Sequence, residues 1–311
     1  MREFITFRFV PTMRCNFKCP YCFLPHSNMQ EPTMFDIYSV DEWIAGINNF
    51  SEFDIDFYMW GGEPFVLKET YDLVRKLDEL QFINTIRIDT NMSFYDKIIE
   101  RCPSRKLRLN VSWHTHKYDF SAIQERALAL HEKGLLCMLN FVASKENLNY
   151  LMDNGLDILD IVRYFAAKGI YMNVAADFHL GNDEEYRNFI TKFTDEFDWD
   201  NIHGKYPSYG ANCSAGYDFF TINQDGSLTS CGRQHRKNGN VQAVVVGNLF
   251  EGTLERVKNP CQNLNCNSII SYAHREDNKL EKRDHLKEYV KRNIRHRRST
   301  GVYNIGMLPW A

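Results

Sequence analysis

Three thiols stand close together near the start of the chain: Cys15, Cys19 and Cys22 in CNFKCPYC, at CxxxCxxC spacing. Thiolates so spaced on one loop can face a common centre, either a zinc ion or an iron–sulfur cluster. Structural zinc takes four protein ligands, and no fourth cysteine or histidine lies at a matching interval except His26. Three thiolates on a cubane cluster instead leave one iron open, where a substrate or cofactor can chelate. The second element is WGGEPF, in which Gly61 and Gly62 allow close backbone approach to a ligand and Glu63, before Pro64, offers a carboxylate to an ammonium group. An α-amino acid moiety then has two anchors, its amine and carboxylate on the open iron and its amine at the GGEP loop. That pairing favours the cluster over zinc.

Such residues must be brought to one edge of a scaffold. Between residues 1 and 200, short β-branched or aromatic runs alternate with longer segments of helical period. Six runs predict strands: EFITFRFV (3–10), DIDFYMW (54–60), TIRIDT (85–90), LRLNVSW (107–113), LLCMLNFV (135–142) and IYMNVAAD (170–177). A helical candidate follows each. Ser39 and Glu42 in SVDEW have capping-box spacing, and Gly169 closes LDILDIVRYFAAKG as a C-terminal glycine. Repeated strand–helix units of about 30 residues imply parallel strands joined by right-handed crossovers, hence an α/β open sheet or partial barrel. Ligands of such folds bind at the carboxyl ends of the strands. CNFKCPYC follows the first strand, GGEP the second, Thr90-Asn91 the third, and Ser112-Trp113-His114 ends the fourth.

In this context the sequence resembles the radical S-adenosylmethionine (radical SAM) enzymes, with CxxxCxxC after the first strand, an aromatic residue, Tyr21, before the third cysteine, and GGEP after the second strand. The resemblance covers residues 3 to 200 and implies a partial (β/α)6 TIM-type barrel. It implies a [4Fe–4S] cluster on Cys15, Cys19 and Cys22 with S-adenosyl-L-methionine on the open iron, reduced by an external donor of flavodoxin or ferredoxin type. One electron passes to the sulfonium, a carbon–sulfur bond breaks, and a 5′-deoxyadenosyl radical takes a hydrogen atom from substrate. By the same resemblance Tyr21 borders the adenine, Gly61, Gly62, Glu63 and Pro64 meet the methionine amine, and Asn91 and Ser112 touch methionine or ribose.

After about residue 205 helical period is lost and Gly, Asn, Ser and Tyr become frequent. Cys213 and Cys231 flank a hairpin-like FFTINQDGSLTSC with the turn signal Asp225-Gly226, and Cys261 and Cys266 follow. A structural zinc site is the bland reading of these four. The first pair resembles the opening signature of SPASM and twitch auxiliary-cluster domains, where a hairpin supplies two ligands and a later helical segment the rest. Here QNLN separates the last two cysteines, four residues where the usual pattern has two. Four cysteines ligate one auxiliary [4Fe–4S] cluster, so the resemblance implies a small twitch-like β-hairpin/helix domain. The expected division is a barrel over 1–205, a twitch-like unit over 206–266 and a basic helical tail over 267–311.

On the substrate side, His114 and His116 in SWHTH and Asp177 in VAADFH end strands at the barrel mouth and are candidates for proton transfer. Arg233 and His235 neighbour Cys231. Cys102 and Cys137 lack partners at ligand spacing and are read as packing residues. From His274 to Arg298 the tail carries ten Lys and Arg against five acids. It is read first as an amphipathic helix packing on the barrel, and second as a docking surface for phosphate groups, an acidic peptide leader or an RNA.

Composition bounds these readings. The chain of 311 residues is 44% apolar and 25% charged with a net charge of −3, the make-up of an ordinary globule with no general attraction for nucleic acid or anionic lipid. No run reaches the ~18 apolar residues of a membrane span, and Arg8 interrupts the only candidate secretory segment, so a cytoplasmic protein is expected. In that compartment nine cysteines point to metal ligands or catalytic thiols rather than disulfides. The expected substrate is a peptide or a small natural-product intermediate. With the first strand beginning almost at the N-terminus, a peptide substrate would need a separate recognition partner or direct capture. The alternatives are radical modification of a nucleotide or RNA and, in another class, a zinc-dependent binding protein.

Overall fold

The computed structural model describes residues 2–22, 24, 31–180, 183–194, 199, 208–230, 244–258, 260–261 and 285–299. Six parallel strands appear where alternation predicted them: β1 (Glu3–Phe9), β2 (Phe53–Met59), β3 (Ile83–Thr90), β4 (Leu107–Trp113), β5 (Leu136–Val142) and β6 (Met172–Ala175). They pair in chain order, each parallel to the next, in a sheet that does not close. The crossovers are α1 (Val40–Asn48), α2 (Lys68–Glu79), α3 (Tyr95–Arg101), α4 (Phe120–Glu132) and the pair α5 (Lys145–Asp153) and α6 (Ile158–Ala167), with α7 (Glu184–Ile190) after β6. The architecture is the α/β partial TIM-type barrel that the strand–helix repeat implies.

Local chemistry fixes where the helices start and stop. Ser39 accepts from the Glu42 amide while the Glu42 carboxylate accepts from the Ser39 amide at 2.7 Å, the reciprocal capping read from SVDEW. Asp119, Ser144, Asp157 and Asp183 cap α4, α5, α6 and α7 more simply, each side chain accepting from a first-turn amide with no reciprocal bond. Beyond α6, Gly169 turns the chain at φ +76°, where a Cβ would be strained.

The strands have two unlike faces. Ile5, Phe7 and Phe9 on β1, Ile55 and Phe57 on β2, Ile86 and Ile88 on β3, and Leu109, Val111 and Trp113 on β4 are buried against helix residues such as Trp43, Leu73, Val74, Ile123 and Phe165. The alternate positions carry Thr6, Arg8, Tyr58, Arg87, Asp89, Asn110, Ser112, Asn140 and Asn173. The concave side of the sheet is therefore polar, unlike the packed aliphatic layers that fill a complete barrel.

The C-terminal residues extend the same sheet. β7 (Phe219–Ile222) runs parallel to β1, from Thr6 opposite Phe219 to Phe9 opposite Ile222. β8 (Ser227–Thr229), β9 (Val245–Asn248) and β10 (Thr253–Leu254) follow it antiparallel, giving the order β10-β9-β8-β7-β1-β2-β3-β4-β5-β6. The predicted Asp225-Gly226 turn joins β7 to β8, with Gly226 at φ +78° and the Asp225 carboxylate accepting from the Ser227 amide. The sheet is thus continuous across residue 206. β9 and β10 were not expected, because a four-residue strand with exposed Val245 and a two-residue partner leave little alternation to read.

The basic tail contributes α8 (His285–Ser299). Among its described side chains Asn293, Ile294 and Arg297 are buried. Arg297 donates to the carbonyls of Phe193 and Met172 at 3.0 and 2.8 Å with its guanidinium over the Tyr171 ring, and Asn293 donates to the Tyr171 hydroxyl. One tail cation is thereby spent on holding the helix to the β6 end of the sheet, as the packing reading expected. No helix among the described residues is long and apolar enough to cross a membrane.

Phe220 couples the added strands to the first, fully buried with its ring edge-on to Phe7 at 6.2 Å. Phe220→Ala should lower stability by about 3–5 kcal/mol. Because the sheet is one body, far-ultraviolet circular dichroism should show the whole melting curve moving down, with no separate early transition.

Candidate active site at the carboxyl edge

The cysteine loop leaves β1 at Phe9, and the GGEP loop leaves β2 alongside it. Parallel pairing of the strands continues beyond their ends: Trp60 N–H donates to Phe9 O at 3.3 Å, Gly62 N–H to Thr12 O at 3.0 Å and Glu63 N–H to Arg14 O at 2.8 Å. The two loops lie so close that a Cβ on Gly61 would sit 2.2 Å from Thr12 O, and one on Gly62 2.1 Å from Arg14 O. Gly61 also has φ +150°, a conformation open to glycine. What the glycines admit in this structure is the backbone that leads into Cys15.

Glu63 is fully buried, with its carboxylate turned toward β3. It accepts from the Asn91 amide at 2.6 Å, the Thr90 hydroxyl at 2.9 Å and the Phe65 amide at 3.2 Å. Burial pushes this carboxyl up to about 7, against the pull of those three donors. Pro64 begins the short 3-10 turn that follows. Asn91 is also buried, and its amide reaches Asn16 at 2.9 Å and Cys15 Sγ at 3.8 Å. The next residue, Met92, is the one non-glycine residue among the described residues held at positive φ, +68°, which bends the chain sharply at this edge.

Cys19 is buried, whereas Cys15 and Cys22 are partly exposed. Burial pushes the Cys19 thiol up to about 12, helped by the charges of Cys22 and Cys15. Cys15 is raised by burial as well. Among the described residues no three Cys, His, Asp or Glu side chains are gathered tightly enough for one metal ion. The cysteine loop after β1 turns on itself where the Cys22 N–H donates to Cys19 O at 3.0 Å, and three thiolates from one loop are the donor set of a cubane cluster with one open iron. The residues therefore fit a [4Fe–4S] cluster.

Tyr21 is buried and stacks on His114, ring centroids 6.0 Å apart and planes 13° from parallel. His114 Nδ1 lies 2.8 Å from the Tyr21 hydroxyl and 3.3 Å from Cys19 Sγ. Burial, with His116 adding to it, pushes the His114 imidazole down to about 3, so the ring is neutral. His116 is exposed beside Phe17 and is lowered mainly by burial. Ser112 lies one alternation before His114 on β4, opposite Asn140 of β5. Asp177 is buried past the end of β6, two strands from β4, and accepts from the His179 amide at 2.9 Å. Cys15, Cys19, Tyr21, Gly61, Gly62, Glu63, Asn91 and His114 are thus drawn together, and Asp177 lies apart from them.

The segment just before Cys213 pairs with Cys261: Cys261 N–H donates to Ala211 O at 2.9 Å, and Gly210 N–H to Cys261 O at 2.8 Å. Cys231, Cys266, Arg233, His235 and His26 lie outside the described residues. Cys102 and Cys137 are buried in the barrel.

Several contributors escaped the sequence reading. Asn147 is fully buried, accepting from Thr115 Oγ1 at 2.6 Å and donating to Val142 O at 2.8 Å, and it also hydrogen-bonds the Tyr21 hydroxyl. In KENLNY it reads as an ordinary polar helix position. Asn16 and Phe17, between the cysteines, had a signal in their location but none in their type. On the concave face Tyr58 donates to Asp89 at 2.6 Å, Asn110 donates to Asp89 at 2.8 Å, and Arg87 covers the Tyr58 ring at 3.9 Å. Arg87 Nε and Asn110 Oδ1 are buried there without a hydrogen-bond partner. These positions had been read only as strand.

Thiols on the first loop of an open parallel barrel, clasped by GGEP, define an enzyme scaffold built around a thiolate-held cluster. The sequence pattern of the Radical SAM superfamily matches residues 9–185, and the chain belongs to that superfamily. It is 26% identical over 195 residues to the GTP 3′,8-cyclase of Limosilactobacillus fermentum, covering 60% of this chain and 58% of the relative. It is 32% identical over 110 residues to that of Lactiplantibacillus plantarum, 35% of this chain and 33% of the relative. Molybdenum cofactor biosynthesis protein 1 of Dictyostelium discoideum is 23% identical, over 84% of this chain and 45% of the relative. The chain thus spans less than two thirds of these curated relatives. Among solved structures, Streptococcus suis SuiB bound to S-adenosylmethionine aligns with TM-score 0.46 and 17% identity, over 80% of this chain and 62% of that one. The enzyme anSMEcpe with bound AdoMet and Kp18Cys peptide aligns with TM-score 0.49 and 16% identity, over 79% and 78%.

Two expectations follow from the clasp. Gly62→Ala forces the loops apart and should cost about 1–3 kcal/mol while cutting the iron and acid-labile sulfide retained per chain, read by elemental analysis beside a melting curve. Glu63 has a folded-state value of about 7, above its ordinary 4.5, so its contribution to stability is fully present below pH 4.5 and lost as pH rises through 7. The loss is about 3 kcal/mol. The melting temperature of metal-free protein should accordingly fall between pH 5 and pH 8, and Glu63→Gln should flatten that slope.

Proposed function

We propose that the protein reductively cleaves S-adenosyl-L-methionine and abstracts a hydrogen atom from a small, polar, anionic substrate of nucleotide type seated on the concave face of the barrel. The observation that carries the substrate class is that face itself. Arg8 and Arg87 supply positive charge, Tyr58, Asp89 and Asn110 are hydrogen-bonded into one network, and Arg87 Nε and Asn110 Oδ1 are buried without partners. Buried polar atoms left unsatisfied cost about 1–3 kcal/mol each, and a ligand that meets them recovers that energy. A phosphate-bearing molecule offers acceptors to the guanidinium, and a base or sugar offers donors to Asn110. The GTP 3′,8-cyclase relatives bear names of the same substrate class.

In this reading Cys15, Cys19 and Cys22 hold a [4Fe–4S] cluster and the GGEP loop with Asn91 and Ser112 borders the bound cofactor. A cluster on these cysteines would supply one electron to the bound S-adenosylmethionine for cleavage of a carbon–sulfur bond. The chain's own work is to hold the cysteine loop by the backbone clasp, to keep Tyr21 and His114 packed over Cys19, and to present substrate from β2, β3 and β4. His116, and Asp177 from its separate position past β6, remain the candidate acceptors of a substrate proton, and the reading calls for an external one-electron donor of flavodoxin or ferredoxin type. A second [4Fe–4S] site on Cys213, Cys231, Cys261 and Cys266 is supported by the pairing of the 210–211 backbone with Cys261, which brings the segment just before Cys213 to Cys261.

Anaerobic protein with dithionite and S-adenosylmethionine should release 5′-deoxyadenosine, detected by mass spectrometry, with several-fold more when GTP is supplied as probe. Cys19→Ala should abolish the product. Arg87→Ala should weaken the GTP response about tenfold or more, the loss of one charged hydrogen bond. Product at undiminished rate from Cys19→Ala would sink the assignment of the loop, and indifference to GTP would sink the nucleotide class. Cys213→Ala should lower bound iron from two clusters' worth to one.

A further inference from the structure

We infer that His114 is a positioning residue for the iron–sulfur cluster: with the Tyr21 hydroxyl it hydrogen-bonds the Cys19 sulfur and thereby sets how readily a cluster held there accepts an electron. The inference rests on the reading that Cys15, Cys19 and Cys22 carry such a cluster. Its geometry is that His114 Nδ1 lies 3.3 Å from Cys19 Sγ and 2.8 Å from the Tyr21 hydroxyl, which itself hydrogen-bonds Cys19. A metal-bound thiolate has no hydrogen to give and only accepts, so the contact is satisfied by the imidazole tautomer that carries its hydrogen on Nδ1.

The surroundings hold that arrangement in place. Tyr21 stacks on the imidazole, Phe17 meets it edge-on at 5.5 Å, and Asn147, fully buried and tied to Thr115 and Val142, fixes the Tyr21 hydroxyl from behind. Aromatic walls exclude water from the hydrogen bonds, and a low local dielectric strengthens them. Donors aimed at cluster sulfur draw charge from it and favour the reduced state, which carries one more electron. His114 and Tyr21 therefore raise the reduction potential of the cluster, and removing the donor lowers it.

The test uses full-length protein purified without oxygen, with iron and acid-labile sulfide measured per chain and the midpoint potential taken from a titration followed by electron paramagnetic resonance. His114→Phe keeps the ring packing but deletes the nitrogen. It should hold the wild-type amount of cluster and show about tenfold less reduced cluster at a fixed potential, which for one electron is a shift of about 59 mV to more negative values. His114→Asn, which returns an N–H near the Nδ1 position, should recover most of the shift, and Tyr21→Phe should show part of it. Wild-type potentials in both His114→Phe and Tyr21→Phe overturn the inference while leaving the cluster in place. If His114→Phe fails to load, Tyr21→Phe decides by the same measurement. Wild-type protein without iron and sulfide overturns the cluster reading itself, and the inference with it.

Discussion

The site depends on the clasp between two loops that follow adjacent parallel strands. Gly62 and Glu63 extend the β1–β2 ladder past its end by donating to Thr12 and Arg14, and the absence of a Cβ at Gly61 and Gly62 lets the backbones meet. A loop bearing three thiols repels itself once those thiols ionise, and it has no secondary structure of its own to hold it. Backbone hydrogen bonds to a neighbouring loop supply that hold without occupying any cysteine. Glu63 carries the restraint one strand further, since its carboxylate binds the Thr90 hydroxyl and the Asn91 amide at the end of β3. Three successive strand ends are thereby locked into one rigid edge.

That role also accounts for burying an acid at a position where burial opposes its charge. The carboxylate accepts three hydrogen bonds from two different loops, which no apolar side chain could replace, and the cost of its burial is offset by the geometry it enforces. The sequence offers this glutamate to an ammonium group; its geometry also makes it a tie between β2 and β3.

Much of the fold was legible because its signals are local. Alternation in EFITFRF and LRLNVSW, the Ser39–Glu42 box, Gly169 and the Asp225-Gly226 turn are each read within a few residues. The cysteine triplet and GGEP were legible as chemistry for the same reason. What escaped depends on tertiary neighbours. Asn147 becomes a buried partner of Tyr21 only because α5 starts beside β4, and Arg297 turns inward only because the Met172 and Phe193 carbonyls await it. The parallel pairing of β7 with β1 joins segments some 200 residues apart, and no local pattern reports that.

The alternation that builds the sheet also sets the spacing between its two functions. Arg87, Asp89 and Asn91 follow one another at every second residue, the first two on the concave face of β3 and the last touching Cys15. Asn110, Ser112 and His114 do the same along β4, ending at Cys19. Each step of two residues covers about 7 Å. The polar network of the concave face and the residues around the cysteines therefore lie on the same lines of side chains, one or two steps apart, on strands hydrogen-bonded to each other from Ile86 opposite Leu107 to Thr90 opposite Val111. In the proposed reaction a radical formed at the edge would need its target close by and water excluded between them. The period-two geometry of two neighbouring strands meets the first need directly, and the aromatic cover of Phe17, Tyr21 and His114 over the cysteine loop contributes to the second.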